Sequence, residues 1–283
     1  MRSVKSLIAA GAASLMSTAV FAADMPIMPP PQMAYAPPPV QQDFGGWYLR
    51  GDIGMTNTQA KLHSNAYDTL PAGTAFSQFG TGFDSGMLFG VGVGYQFNSW
   101  FRADITGEYR SKVNFTGTDF ATFPTNPLAD AYHGGYTSWV GLVNVYADLG
   151  TWWCLTPFIG AGVGAASIKT TAFSDVATFP SGSGLTGTYI ADGASKTNLA
   201  WALHAGVAYK VTNNFTVELA YRYLDMGTAV HGNGRSFDGS NAGPSSFQYR
   251  DLTSQDVKLG VRFALPCCDV PPPPPPPPLI RKG

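Results

Sequence analysis

The sequence predicts an all-β fold, an eight-stranded antiparallel transmembrane β-barrel with long extracellular loops and short periplasmic turns. Three observations lead to this prediction: an export signal at the N-terminus, repeated alternation of apolar and polar residues with a period of two, and connections that are alternately short and long. After the signal, no apolar segment reaches the ~20 residues that a membrane-spanning helix needs.

The N-terminus has the features of a cleaved secretory signal peptide. Arg2 and Lys5 precede an apolar segment from Leu7 to Phe21, and Val20 and Ala22 supply the small residues that a signal peptidase reads. We therefore expect cleavage after Ala22. The residue directly after this position is Ala23 and not a cysteine, so a lipoprotein anchor is not expected there.

The sequence divides into four segments. Residues 1–22 are the predicted signal peptide, and the Pro-rich residues 23–43 are a predicted periplasmic leader. Residues 44–265 are the predicted barrel, and residues 266–283 a Cys- and Pro-rich periplasmic tail whose proline run favours a polyproline II rod.

The composition excludes several classes of protein. Without residues 1–22 the chain has 15 Lys plus Arg against 18 Asp plus Glu, a balance that does not suggest nucleic-acid binding. Charged residues make up 12% of the chain, about half the usual share in a soluble domain. Low charge with 33 glycines and 13% aromatic residues favours a barrel whose strands alternate between lipid and lumen.

The clearest strand runs from Phe101 to Arg110. Apolar and small residues at odd positions alternate with Arg102, Asp104, Glu108 and Arg110 at even positions. In a barrel the apolar face contacts lipid and the charged face fills the lumen. Similar alternation predicts seven more strands, at 46–57, 85–97, 137–149, 155–167, 198–211, 215–225 and 250–263.

The connections and the aromatic residues support this arrangement. The connections at 98–99, 150–154 and 212–214 are short, whereas those at 58–84, 111–136, 168–197 and 226–249 are long and rich in Gly, Ser, Thr and Asn. Aromatic side chains prefer the two membrane interfaces. One group lies at the short-turn ends, and a second lies nearer the long loops: Tyr109, Tyr136, Trp139, Tyr223 and Tyr249.

Four motifs resemble a known family. Trp47–Gly54, Pro157–Gly164, Glu218–Tyr223 and Leu259–Phe263 resemble the small outer-membrane β-barrel ("porin family", OmpA-like barrel) proteins of alphaproteobacteria. The resemblance covers about residues 44–263 and implies a barrel in the cell outer membrane. Twenty residues follow Phe263, and the proline run leads only to a five-residue basic end, so the resemblance does not extend to a peptidoglycan-binding domain.

Charged residues on the predicted inward face are the main candidate site. They are Arg50, Asp52, Arg102, Asp104, Glu108, Arg110, Glu218, Arg222, Asp256, Lys258 and Arg262. An eight-stranded barrel is about wide enough for its own side chains, so buried charges must pair. One interpretation is a salt-bridged plug, and the other is a narrow ion path, favoured by the inward glycines of the strands at 85–97 and 155–167.

No pattern predicts an enzyme, a cofactor or a metal site. His204 is inside the predicted wall, but no spacing marks Ser138, Ser167 or Ser254 as a nucleophile beside it. The histidines of the long loops, His63, His133 and His231, have no metal-ligand spacing.

Three cysteines remain on the predicted periplasmic side. Cys154 is in a short turn, and Cys267 and Cys268 follow the last strand. Export permits a disulfide from Cys154 to one of them, and the odd count leaves at least one thiol free or paired between chains.

Three functions fit these observations. The first is a structural barrel that supports envelope integrity, the second a small porin for ions or small solutes, and the third a surface adhesin that acts through its long loops, where Phe residues either bind partners or pack among themselves. The expected partners are outer-membrane lipid and lipopolysaccharide, the barrel-assembly machinery, and the cell wall through the basic end of the tail.

Overall fold

The computed structural model of the protein describes residues 45–69, 72–122, 127–178 and 186–265. The predicted signal peptide, leader and tail, together with Cys267 and Cys268, lie outside the described residues. Within them, no helix is long and apolar enough to cross a membrane.

The described chain is almost entirely antiparallel strand. One short 3-10 helix, Asn65–Thr69, lies among thirteen strands: β1 (Gly46–Ser64), β2 (Ala75–Phe83), β3 (Gly86–Gln96), β4 (Phe101–Thr122), β5 (Pro127–Asp148), β6 (Leu155–Thr170), β7 (Phe173–Thr178), β8 (Thr186–Gly193), β9 (Ser195–Lys210), β10 (Phe215–Asp225), β11 (Ala229–Ser236), β12 (Gly243–Pro244) and β13 (Phe247–Ala264).

Eight of these strands close into a ring, which confirms the predicted fold class. The order around the ring is β1, β3, β4, β5, β6, β9, β10 and β13. The first and last strands close it, with Leu49 opposite Phe263 and Thr58 opposite Ser254. The outward face of the ring is apolar and exposed, and the inward face is buried: Ile105 is 60% exposed, whereas the adjacent Asp104 is 3% exposed. This distribution is that of a membrane barrel.

Short turns join the ring strands at one end. In the β3–β4 turn the Asn98 side-chain oxygen accepts hydrogen bonds from the backbone N–H groups of Trp100 and Phe101, at 3.0 and 2.7 Å. In the β9–β10 turn the Thr212 hydroxyl oxygen accepts a bond of 3.0 Å from the Phe215 N–H. These side chains satisfy backbone donors locally, so the chain reverses within a few residues.

The four long connections differ from the sequence expectation, because much of each is strand rather than irregular loop. Strands β1, β4, β5 and β13 continue beyond the membrane ring, and β2, β7, β8 and β11 pair beside them. We call this second tier the upper barrel; it comprises β2, β7, β8, β11 and the parts of β1, β4, β5 and β13 at 61–64, 113–122, 127–136 and 247–250. Among the described residues, no ladder joins β1 to β2, so the upper barrel is open along that side.

Two β-bulges separate the tiers. The β4–β5 register shifts between Arg110 and Val113, and the β1–β13 register shifts between Gln59 and Lys61, beside Asp251 with its φ of 53°. One extra residue reverses which positions point inward. As a result Phe115 and Asp119 are buried, although both have the parity that faces lipid lower on β4.

The aromatic bands at the membrane interfaces follow the prediction only in part. Rings pair on the outer face at the short-turn end, as with Trp47 and Tyr95 at 5.3 Å, and near the upper barrel, as with Tyr109 and Trp139 at 5.0 Å. Placing Tyr136 and Tyr249 in the second band was wrong, because both side chains are buried inside. Tyr136 has the inward parity of β5, and the bulge at Asp251 turns Tyr249 inward.

Candidate functional site

The lumen of the membrane ring contains one connected network of charged side chains. It comprises the eleven residues identified from the sequence and Asp148, which the sequence analysis had not included. Six members are basic and six are acidic: Arg50, Arg102, Arg110, Arg222, Lys258 and Arg262 with Asp52, Asp104, Glu108, Asp148, Glu218 and Asp256. The network is therefore neutral when all members are ionised.

Arg50 and Glu218 organise the part of the network nearer the short turns. The Arg50 guanidinium lies 2.8 Å from Asp52 and 2.8 Å from Asp104. Glu218 lies 3.6 Å from Arg50 and 3.4 Å from Arg102. The Arg102 guanidinium also lies over the rings of Tyr146 and Phe158, 4.2 and 4.7 Å from their centroids. These rings surround a buried cation with the electron-rich faces that attract it.

Arg110 and Arg222 organise the part nearer the upper barrel. Both contact Glu108 and Asp256, with nitrogen–oxygen distances from 2.6 to 3.2 Å. Lys258 joins the two parts, because its ammonium lies 3.5 Å from Asp52 and 3.6 Å from Glu108. Removing one partner from such a network leaves a buried charge uncompensated, which is strongly destabilising.

Inward glycines lie beneath these long side chains. The charges come mainly from β1, β4, β10 and β13, whereas β3 and β6 present glycines to the lumen. A Cβ atom at Gly160 would meet the Tyr146 ring, and one at Gly162 would meet the Asn144 amide. A Cβ atom at Gly92 would touch Arg50. The space that favoured a pore is occupied by side chains from neighbouring strands.

His204 lies in this lumen as a hydrogen-bonded interior residue. Its Nε2 is 3.2 Å from the Asn144 Oδ1, and its ring packs against Tyr146. Ser254 donates a bond of 2.6 Å to Asp256, and Ser138 contacts the Met226 sulfur at 3.9 Å. The described residues therefore contain no serine–histidine pair at this position.

Apolar and aromatic side chains fill the interior above the charges. Leu224, Met226 and Leu252 are buried near the bulge of β13, and Leu142 is buried lower in the ring, opposite Thr106. Higher in the upper barrel the rings pack against one another: Phe83, Phe115, Tyr132, Tyr136, Phe173, Phe247 and Tyr249. The sequence leaves open whether the Phe residues of the long connections pack against other rings, and in the structure Phe115, Phe173 and Phe247 do. The lumen is thus filled from the charged network to the upper barrel.

Three carboxyl groups lie at the top of the upper barrel. Asp119 is opposite Asp130 across the β4–β5 ladder, and Asp175 is opposite Tyr132 across the β5–β7 ladder. The Tyr132 hydroxyl donates a bond of 2.6 Å to Asp119, whose other oxygen is buried.

Burial, with the nearby charges of Asp175 and Asp119, raises the pKa of Asp130 to about 8. Burial also raises the pKa of Asp175 to about 7. Asp130 faces Asp119 across the β4–β5 ladder, so a proton on Asp130 can be shared with the Asp119 carboxylate.

The remaining candidates from the sequence do not converge. His63 lies 3.3 Å from Asp68, His231 contacts the Phe247 carbonyl, and His133 is exposed. In the part of the chain that the structure describes, no group of three side chains has the arrangement of a metal site. Cys154 is exposed in the β5–β6 turn, and its pairing with Cys267 or Cys268 stays a prediction.

We expect Gly160→Ala to destabilise the barrel by about 1–3 kcal/mol, because its methyl group overlaps the Tyr146 ring and the Val145 carbonyl. The measurement is the urea midpoint of the protein in lipid vesicles. Gly107→Ala is the matched control, since a Cβ atom there has nothing within 4 Å. Equal midpoints for the two variants would contradict tight packing over the inward glycines.

We expect the top of the upper barrel to open more often as the pH rises from about 4 to about 8. The pKa of Asp130 is higher in the folded chain than in an unfolded one, where it is about 3.9, so the stability from its protonated form is lost over this interval. Asp130→Asn keeps a hydrogen-bond donor opposite Asp119 without the charge. Hydrogen exchange of peptides from 113–136 should therefore be at least about tenfold slower in this variant than in wild type at pH 8.

The same comparison at pH 4.5 and an exposed control complete this experiment. Both proteins should exchange alike at pH 4.5, because Asp130 is then neutral in each. Asp192→Asn removes an exposed carboxyl of the upper barrel and should change nothing. A variant that exchanges like wild type at pH 8 would show that Asp130 is ionised in the folded chain.

Comparisons with known proteins agree with this geometry. Residues 9–263 match the family model described as "Outer membrane protein beta-barrel domain". An uncharacterized protein of Brucella abortus is 31% identical over 274 residues, which cover 87% of this chain and 93% of that protein. A protein of Rickettsia bellii with the name "Putative adhesin" is 28% identical over 220 residues, and this alignment covers 77% of this chain and 87% of that protein.

Among solved structures, the outer membrane protein OprG of Pseudomonas aeruginosa aligns with a TM-score of 0.42 and 14% identity, covering 77% of this chain and 96% of that one. The family match covers most of the sequence and includes the whole ring of strands. The chain therefore belongs to the outer-membrane protein β-barrel family, and the protein resides in the cell outer membrane.

Proposed function

We propose that this protein is a structural barrel that supports the integrity of the outer membrane and does not conduct solutes. The observation that carries the proposal is the neutral network of six basic and six acidic side chains across the lumen. Every guanidinium in it has a carboxylate within 4.0 Å. An ion path needs charged side chains that can exchange their protein partners for a permeant ion. Here each guanidinium is already paired with a carboxylate of the barrel.

The filled interior above the network supports the same proposal. A solute would have to displace Leu142, Leu224 and Leu252 and then the packed rings of the upper barrel. A small porin is the less supported alternative, because the inward glycines lie under side chains of neighbouring strands. We propose no catalytic activity, and we propose the barrel-assembly machinery and outer-leaflet lipid as partners. Contact between the tail and the cell wall stays a prediction.

We expect the refolded protein to give no conductance steps in a planar bilayer, because paired charges and, above them, packed apolar and aromatic side chains occupy the lumen of the described barrel. A strain that lacks the gene should become more sensitive to detergent, and wild-type protein should restore its resistance. Slower migration after boiling, in an SDS gel, verifies that the inserted protein is folded. Steady, reproducible conductance steps from folded protein would overturn the proposal in favour of the porin.

We propose surface recognition through the upper barrel as a second function. Its outward face exposes Phe79, at 55%, and Phe120, at 47%, in an aqueous environment, and Phe237, directly after β11, is 91% exposed. Phe79 and Phe120 contact each other across the β2–β4 ladder, with centroids 5.7 Å apart. Exposed aromatic residues on a rigid scaffold are typical of binding surfaces. The name of the Rickettsia bellii relative is consistent with this proposal.

We expect Phe79→Ser with Phe120→Ser to reduce attachment of cells that display the protein to a host-cell layer by about tenfold, with unchanged surface abundance. The exchange removes two apolar contacts without touching the buried rings. Thr116→Ala with Thr118→Ala, on the same strand β4, is the matched control. Attachment equal to wild type in the double Phe variant would exclude this pair as the recognition surface.

A further inference from the structure

Two lysines lie on the outer face of the barrel just beyond the aromatic band next to the upper barrel. Lys112 is in the bulge of β4, and Lys169 is opposite Thr137 on β6. Both side chains are exposed. Because β5 lies between β4 and β6, the two lysines are on strands two spacings apart, about 10 Å across the sheet.

The level of these lysines follows from the aromatic residues below them. Tyr109 and Trp139 form an exposed pair on β4 and β5, and such rings prefer the headgroup level. Trp139 is opposite Ser167, and Lys169 is two residues farther along β6, about 7 Å toward the outside. This distance places its ammonium in the polar layer of the outer leaflet, which is several Å thick.

Neither ammonium has a partner in the described part of the chain. No carboxylate lies within 4.0 Å of Lys112 or Lys169 there. Lys61, on the same outer face, differs because its Nζ lies 3.0 Å from Asp251. The Lys112 and Lys169 charges are thus free to bind anionic groups, and the polar layer next to them consists of lipid headgroups.

We propose that Lys112 and Lys169 form a binding site for the phosphates of one lipid A molecule in the outer leaflet. Lipid A has a phosphate at each end of a sugar dimer, so it presents two separated anionic groups to two separated ammonium groups. The sugars then lie across Thr137, between the two lysine strands, and the acyl chains lie along Tyr109, Trp139 and the apolar surface below them. A phospholipid has a single phosphate and engages only one of the two lysines.

The test is a titration of the full-length protein, folded in dodecyl maltoside, with diphosphoryl lipid A, and native mass spectrometry measures the bound fraction. Each lysine near an anionic surface changes affinity by about fivefold to tenfold. We therefore expect Lys112→Gln with Lys169→Gln to weaken lipid A binding by about 30-fold or more. Lys61→Gln and Lys210→Gln are matched controls, because Lys61 is already paired and Lys210 is at the periplasmic end of β9.

Two further lipids identify the source of the anionic groups. Lipid A without its phosphates should bind wild type as weakly as diphosphoryl lipid A binds the double variant. Phosphatidylglycerol should bind more weakly than lipid A and should lose less affinity in the double variant. Equal lipid A binding by wild type and double variant would overturn the site, and equal binding of phosphatidylglycerol and lipid A would overturn the assignment to lipid A.

Discussion

Pairing of charges inside a narrow barrel is the constraint on which the rest of this structure depends. Eight strands leave room only for the protein's own side chains, and six cations there require six anions. The long side chains come mainly from β1, β4, β10 and β13, so inward positions on the strands beside and across from them must be free of bulk. Glycines on β3 and β6 meet that requirement, because Arg50 and Tyr146 lie where their side chains would be. The charges and the glycines are therefore two parts of a single packing solution.

The bulges then divide the molecule into two environments. Below them, the inward residues are charged and the outward residues contact lipid. Above them, the inward residues are aromatic, as with Phe115 and Tyr249, while Thr116 and Arg250 face water. One added residue on β4 and one on β13 suffice for this reversal, because the side-chain period of a strand is two. The same chain thus serves a membrane and an aqueous environment without a separate domain.

Sequence reasoning was sufficient where the period of two is unbroken. The β4 alternation from Phe101 to Arg110 identified the lipid face, and the short-turn ends of the six ring strands that short turns connect were located to within one residue. It was insufficient beyond Arg110, because nothing in Ser111 or Lys112 signals a bulge. The strands of the upper barrel were also missed, since Gly, Ser and Thr are equally common in loops and in exposed strands.

The candidate site was predicted almost completely. Asp148 was omitted from the charged set, although it is four residues after the inward Asn144 on β5 and therefore has the same inward parity. The alternation of β5 was sufficient to include it. Asp119 and Asp130 face each other in the register of the β4–β5 ladder beyond Val113, and the sequence did not predict this register because residues 111–136 have the composition of a loop.

The charged network also has a consequence for the order of assembly. Arg110 and Asp256 are 146 residues apart in sequence, and Arg50 of the first strand contacts Glu218 near the end of the chain. These partners meet only when β13 closes on β1. Until that moment each of them needs water, so an open sheet with this inward face is not stable in hydrocarbon. Closure and insertion must then proceed together, as a late step of high contact order in which the barrel enters the bilayer almost complete.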